Sequence, residues 1–141
     1  MFIAKNNDLI ILASQTREEL EQQLQFIVYT DIEETDFEYQ LYNGEYLTVE
    51  EILEKERERK NKLFLTRADV ERAIYNSKGI TFDDILELVK KLPDIDVKVL
   101  KIELSANHFY RGNIYVSKIG RMLGLSETDL DYLFENGKFK G

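Results

Sequence analysis

Glu54-Lys55-Glu56-Arg57-Glu58-Arg59-Lys60-Asn61-Lys62 is the stretch that decides how this chain divides. It follows Ile52 and Leu53 and contains no apolar residue. Thr48-Val49-Glu50-Glu51 stands just before it, with the spacing of a capping box. In that motif a Thr hydroxyl and a Glu carboxylate satisfy the free N–H groups at a helix start. Acidic residues come first and basic ones last, which suits the helix dipole. Glu54 with Arg57 and Glu56 with Arg59 are i,i+3 partners. A helix must bury an apolar stripe to pack, and a helix polar all round bridges solvent. The reading is therefore a charged connecting helix over residues 48–62, with a small unit at 1–47 and a second at 63–141.

Before the connector the pattern is short and mixed. Phe2 to Ala4 and Leu9 to Ala13 are apolar runs separated by Lys5-Asn6-Asn7-Asp8, which reads as a hairpin. Thr16-Arg17-Glu18-Glu19 is another capping box, and Leu20, Leu24 and Ile27 follow at helical spacing. The spacing predicts a helix from Arg17 to Val28. Asp31-Ile32-Glu33-Glu34-Thr35-Asp36 reads as an acidic connection. Phe37 to Tyr42 then alternates with period two, Asn43-Gly44 is a type I′ turn signal, and Glu45-Tyr46-Leu47 returns. Hairpin, helix, hairpin makes a small α+β unit, with Phe37, Tyr39 and Leu41 expected on one face.

After the connector the pattern is helical. Thr66 caps a helix carrying Val70, Ala73 and Ile74 and stopped near Gly79. Thr81 caps the next, with Ile85, Leu88, Val89 and Leu92, stopped at Pro93. Asp94 to Tyr110 is open between two periods. Ile95, Val97 and Val99 alternate like a strand, while Val97, Leu100 and Leu104 space like a helix. Helix is favoured, because Asp94 follows the proline as a cap and the run exceeds a usual strand. Asn113 caps a helix with Val116, Ile119 and Leu123, and Ser126 caps a last one with Leu130, Leu133 and Phe134. The whole is expected to be α+β, with a C-terminal helical bundle.

Composition narrows the function classes. In 141 residues there is no Cys, so thiol nucleophiles, thiolate metal sites and disulfides are excluded. No apolar run approaches the roughly 20 residues that span a bilayer, and the N-terminus lacks a signal-peptide pattern. The expected location is a reducing cytoplasm, with no membrane partner. Net charge is −8. Through Lys62 there are 7 Lys and Arg against 15 Asp and Glu, and beyond it 12 against 12, so the excess lies in the first part. Such a surface repels nucleic acid, which needs clustered cations, and attracts a basic protein.

Motifs for chemistry are scarce. His108 is the sole histidine, and Ser105 near it forms no recognisable nucleophile motif. Asp94-x-Asp96 and Asp83-Asp84 lack the spacing of a calcium loop and read as helix-start residues. The 7 glycines are scattered and form no phosphate loop. No catalysis, cofactor or metal is expected. Val116 to Leu130 has helix-turn-helix form, with Gly120 at the crossing and Gly124 in the turn. Its second helix would offer Glu127, Thr128, Asp129 and Asp131 to a groove where Arg, Lys, Asn and Gln make the usual contacts. Two groups remain as candidate protein contacts. Phe109, Tyr110 and Arg111 combine side chains that dominate interface hot spots beside the flexible Gly112. Glu33, Glu34, Asp36 and Glu38 form an acidic patch around the second hairpin, complementary to a basic partner.

Phe64-Leu65-Thr66-Arg67-Ala68-Asp69, Gly79-Ile80-Thr81, and Phe109-Tyr110-Arg111-Gly112-Asn113 through Leu123-Gly124-Leu125-Ser126 to Leu130-Asp131 and Leu133-Phe134 carry a resemblance. In these stretches the C-terminal half resembles small proteins of the tail and tail-fibre region of tailed phages and prophages. The resemblance implies an accessory protein that binds another protein during tail or tail-fibre assembly in a bacterial cytoplasm. By size and charge alone the chain is also similar to phage inhibitors of host defence nucleases, such as anti-CRISPR proteins. That alternative implies contact through the acidic N-terminal surface. A helix-turn-helix regulator of DNA is the third expectation.

Overall fold

The computed structural model describes residues Met1–Gly141. It is α+β, with seven helices and small antiparallel sheets. The chain separates into two units, Met1–Glu56 and Arg57–Gly141, and the division falls inside one helix. Cutting there assigns three basic and 14 acidic side chains to the first unit, a net −11, and 16 against 13 to the second, a net +3.

In the first unit, β1 (Phe2–Asn6) is the middle strand of a three-stranded sheet. β2 (Leu9–Ser14) pairs with it antiparallel on one side, with a register shift at Ala4/Lys5. Asn7 takes the positive φ that this tight turn demands, at 49°. α1 (Arg17–Gln23) starts at Thr16, whose hydroxyl accepts from the Glu19 backbone N–H. The helix is shorter than the spacing predicts. Leu24 is its last buried apolar residue, after which Thr30 is held to the first turn. Thr30 N–H donates to the Lys5 carbonyl at 2.7 Å, and its Oγ1 accepts from Asn7 N–H at 3.0 Å. A helix continued to Val28 would leave no chain to reach that anchor.

The acidic stretch read as a connection is a strand. β3 (Asp31–Glu34) pairs antiparallel with β1, setting Ile32 against Ala4 and Glu33 against Ile3. Ala4, Leu20 and Leu24 form the buried cluster between sheet and helix, flanked by Phe2, Ile11, Leu12 and Ile32. β4 (Tyr39–Tyr42) and β5 (Glu45–Thr48) make the expected second hairpin, with Asn43 and Gly44 both at positive φ. Tyr39 and Leu41 share a face of β4 by alternation, while Phe37 lies before the strand; of the three only Tyr39 is half-buried.

α2 (Val49–Asn61) is capped by the reciprocal Thr48–Glu51 bonds and has no buried residue. Within the first unit, Lys55 pairs with Glu45 and Tyr42 Oη donates to Glu56. Beyond the division, Arg57, Arg59 and Lys60 are engaged with the second unit's last helix. Beyond Leu53 the helix carries no apolar side chain, as expected, yet its C-terminal half is an anchored element and not a solvated spacer.

The second unit holds the larger core. β6 (Phe64–Thr66), α3 (Arg67–Lys78), α4 (Phe82–Val89), α5 (Val97–Leu104), β7 (His108–Tyr110), α6 (Ile114–Met122) and α7 (Glu127–Asn136) follow in order. Eleven buried residues, among them Ile74, Phe82, Ile85, Leu100, Phe109 and Leu133, form one cluster. Phe82 and Phe109 meet edge to face, with centroids 5.7 Å apart. The helix caps at Thr66, Thr81, Asn113 and Ser126 all form, and Gly79 and Gly137 end α3 and α7 in the left-handed region.

Two expectations fail in this unit. Asp94 to Tyr110 is not one helix: Asp96, not Asp94, caps α5, and the chain leaves helix after Leu104. The bundle is not purely helical either. β6 pairs antiparallel with β7, setting Leu65 opposite Phe109. Those two face the core, and an apolar alternation of only three residues per strand carries too little local signal to be read.

Candidate protein-binding surface

The two groups named from sequence meet different fates. Phe109 is 7% exposed and belongs to the core, and Arg111 is 3% exposed. A buried guanidinium costs several kcal/mol unless it is paired, and Arg111 is paired on every side. Its Nε donates to Asp131 Oδ1 at 2.9 Å, its Nη1 to Ser117 Oγ at 3.3 Å, and its Nη2 to the Glu127 carboxylate. The same Asp131 oxygen accepts from Arg57 Nη2 at 3.0 Å, and Lys60 Nζ lies 3.7 Å from its other oxygen. Arg59 Nη2 completes the set with Glu135 at 2.6 Å. These charges clamp the end of α2 and the residue after β7 onto α7.

Electrostatics agree with that clamp. Burial opposes ionisation of Asp131, but the Arg57 hydrogen bond and the charges of Arg111 and Arg57 outweigh it and hold the carboxyl below its ordinary range. The Arg111 hydrogen bond likewise depresses Glu127. Phe109 and Arg111 are thus structural residues, which corrects their assignment as contacts. Tyr110 alone of the three is presented outward, at 53% exposure. It packs against Phe64, which also meets the His108 ring edge to face.

α6 and α7 are joined by a turn in which Gly124 takes a positive φ. A Cβ on Gly120 would lie 2.7 Å from Leu130 Cδ1, so any larger residue there would force the buried Leu130 side chain to shift. Glu127 and Asp131 are consumed by arginines, and the Asp129 carboxylate accepts from the Ser126 backbone N–H. An apolar recess in this unit, bordered by Phe82, Phe109, Ile119 and Leu133, has a volume of about 50 Å³. It is too small and too dry for a ligand of metabolite size.

The acidic group stays at the surface. Glu33, Glu34, Asp36 and Glu38 are all exposed. Glu33 faces Lys5 at 2.9 Å, and Glu38 accepts from Gln15 Nε2 at 2.8 Å. Five carboxylates and no Lys or Arg lie between Asp31 and Glu38. Immediately before them lie Phe26, Ile27 and Val28, which the spacing predicts inside a helix, and then Tyr29. Phe26 is 97% exposed and Val28 79%, with Ile27 and Tyr29 also in solvent. Leu9, in the β1–β2 turn region to which Thr30 is bonded, is exposed as well. Four consecutive large apolar side chains in water, flanked by an acidic strand, are a patch that soluble monomers rarely leave open. The sequence signal was the apolar run Phe26-Ile27-Val28-Tyr29 itself, longer than the helical spacing before it requires.

No family model, no curated protein and no solved structure matches this chain. No helix is long and apolar enough to cross a membrane.

Proposed function

We propose that this protein acts by binding another protein and not by catalysis, and that its N-terminal unit makes the contact. The observation that carries this is the exposed run Phe26–Tyr29 joined directly to the acidic strand β3. An apolar centre with a charged rim is how interfaces are built. Phage tail or tail-fibre assembly in a bacterial cytoplasm is the setting we infer from the resemblance of the C-terminal half. The net −11 of the first unit favours a second reading, in which the partner is a basic host nuclease that the protein inhibits. Charge steers such an encounter. Direct nucleic-acid binding is not proposed, because α7 carries no Lys or Arg and its Glu127 and Asp131 carboxylates are paired with Arg111.

Affinity capture from lysate of the native host, with the prophage induced, tests this at low and high salt with mass spectrometry. Wild type and Val28→Asp are compared side by side. A tail or fibre protein held at high salt and lost with Val28→Asp supports assembly. A basic nuclease released as salt rises supports inhibition, since screening weakens charge contacts. Identical capture by wild type and Val28→Asp contradicts the proposed surface.

A further inference from the structure

The reading that the N-terminal unit binds a protein is the premise here. We propose that β3 receives an extended, lysine- or arginine-rich segment of the partner as a fourth strand of the sheet. The strand order is β2-β1-β3, so β3 is a terminal strand and one of its edges has no ladder. Unpaired backbone N–H and C=O groups on such an edge form a template for a further strand. Strand addition uses those groups for affinity and alternate side chains for specificity.

The side chains of β3 select the occupant. Side-chain period two puts Asp31 and Glu33 on the face shared with Lys5 and Ile3, and Ile32 and Glu34 on the face that α1 covers. A segment alternating cationic and apolar residues would set its cations beside Asp31 and Glu33 and its apolar side chains beside the half-buried Ile32. Glu33 already attracts one cation, Lys5, and remains half exposed, so a second can share it. Phe26 to Tyr29 precede the strand and offer apolar contact where the segment runs on past Asp31.

A second copy of this chain is the poorer occupant. Two β3 edges side by side would bring Asp31, Glu33 and Glu34 against one another, and like charges across strands destabilise pairing. The same carboxylates that block self-pairing thus discriminate for a cationic strand.

Fluorescence anisotropy on the full chain provides the test, with three labelled peptides of roughly eight residues, the length of an ordinary strand. One alternates Lys and Val, one alternates Glu and Val, and the third is the Lys–Val peptide N-methylated at every second amide. The Lys–Val peptide should bind and weaken as salt rises, and the Glu–Val peptide should not bind. N-methylation keeps charge and shape but removes edge donors, and should weaken binding at least about tenfold. Amide exchange should slow across Asp31–Glu34 with the Lys–Val peptide. Equal binding of the N-methylated peptide, unchanged exchange at Asp31–Glu34, or no binding of any peptide overturns strand addition. Capture through Val28 can succeed in each of these cases, so the broader reading fails or stands separately. Concentration-dependent protection of Asp31–Glu34 without peptide would also overturn it, in favour of self-pairing.

Discussion

The two units use the same kinds of residue to opposite ends. In the second, 11 buried residues close one core, and the charges nearest to it, Arg111 with Asp131 and Glu127, are matched. In the first, the cluster between sheet and helix is Ala4, Leu20 and Leu24, while Phe26, Val28, Phe37 and Leu41 stand in water. Folding is driven by removing apolar surface from water, so the second unit is organised for its own stability. Both units leave single apolar side chains in water, Ile102 and Ile114 in the second, but the first leaves four in succession, Phe26 to Tyr29. Charge follows the same division, at −11 against +3.

The largest expected effect lies in the matched charges. Arg111→Ala leaves Glu127 without its strongest partner and weakens the hold on Asp131, and should destabilise the second unit by about 3 kcal/mol. Denaturation with amide exchange should show the loss in Arg57–Gly141 and little change in Met1–Glu56; equal loss in both would erase the contrast. Next comes Gly120→Ala, whose Cβ meets Leu130 and should cost about 1–3 kcal/mol. Combining it with Leu130→Ala should recover part of that cost in a double-mutant cycle, whereas strict additivity would remove the close approach as its cause.

Acid should act on the second unit in the same direction but more mildly. Asp131 and Glu127 have folded pKa values below their ordinary 3.8 and 4.5. Their contribution to stability is fully present above those values and is lost as pH falls through the lower folded ones. Asp131→Asn should therefore flatten the decline in stability below pH of about 4, and an unchanged slope would contradict the ion network. The smallest effect is expected for Val28→Asp. An exposed side chain outside the core should leave stability within about 0.5 kcal/mol, although partner capture is lost. A marked fall in stability would mean that the apolar run is packed.

Much of this contrast is legible in the amino-acid order. Thr16, Thr48, Thr66, Thr81 and Ser126 announce helix starts because capping is local chemistry, and Asn43-Gly44 announces its turn for the same reason. The α+β class follows from those signals. What is not legible is pairing across distance. β3 pairs with β1 across 26 positions at Lys5 and Asp31 and 32 at Phe2 and Glu34, and β6 finds β7 over more than forty residues. Neither short strand has enough alternation to declare itself. Arg111 is the clearest case at the candidate site. Its type and its neighbours Phe109 and Tyr110 suit an interface, and only the arrival of Asp131 and Glu127 from α7 turns it into a clamp. The acidic patch was visible as charge, but the apolar run beside it was hidden by a helical spacing that Ile27 happens to continue.

Amide exchange of the full chain, free and bound to the protein it captures, is the most direct measurement of where binding resides. Slowed exchange across Phe26–Glu34, with the second unit unchanged, is the predicted result. Protection confined to the second unit, around Phe64 and Tyr110, would contradict it and make the acidic unit a bystander.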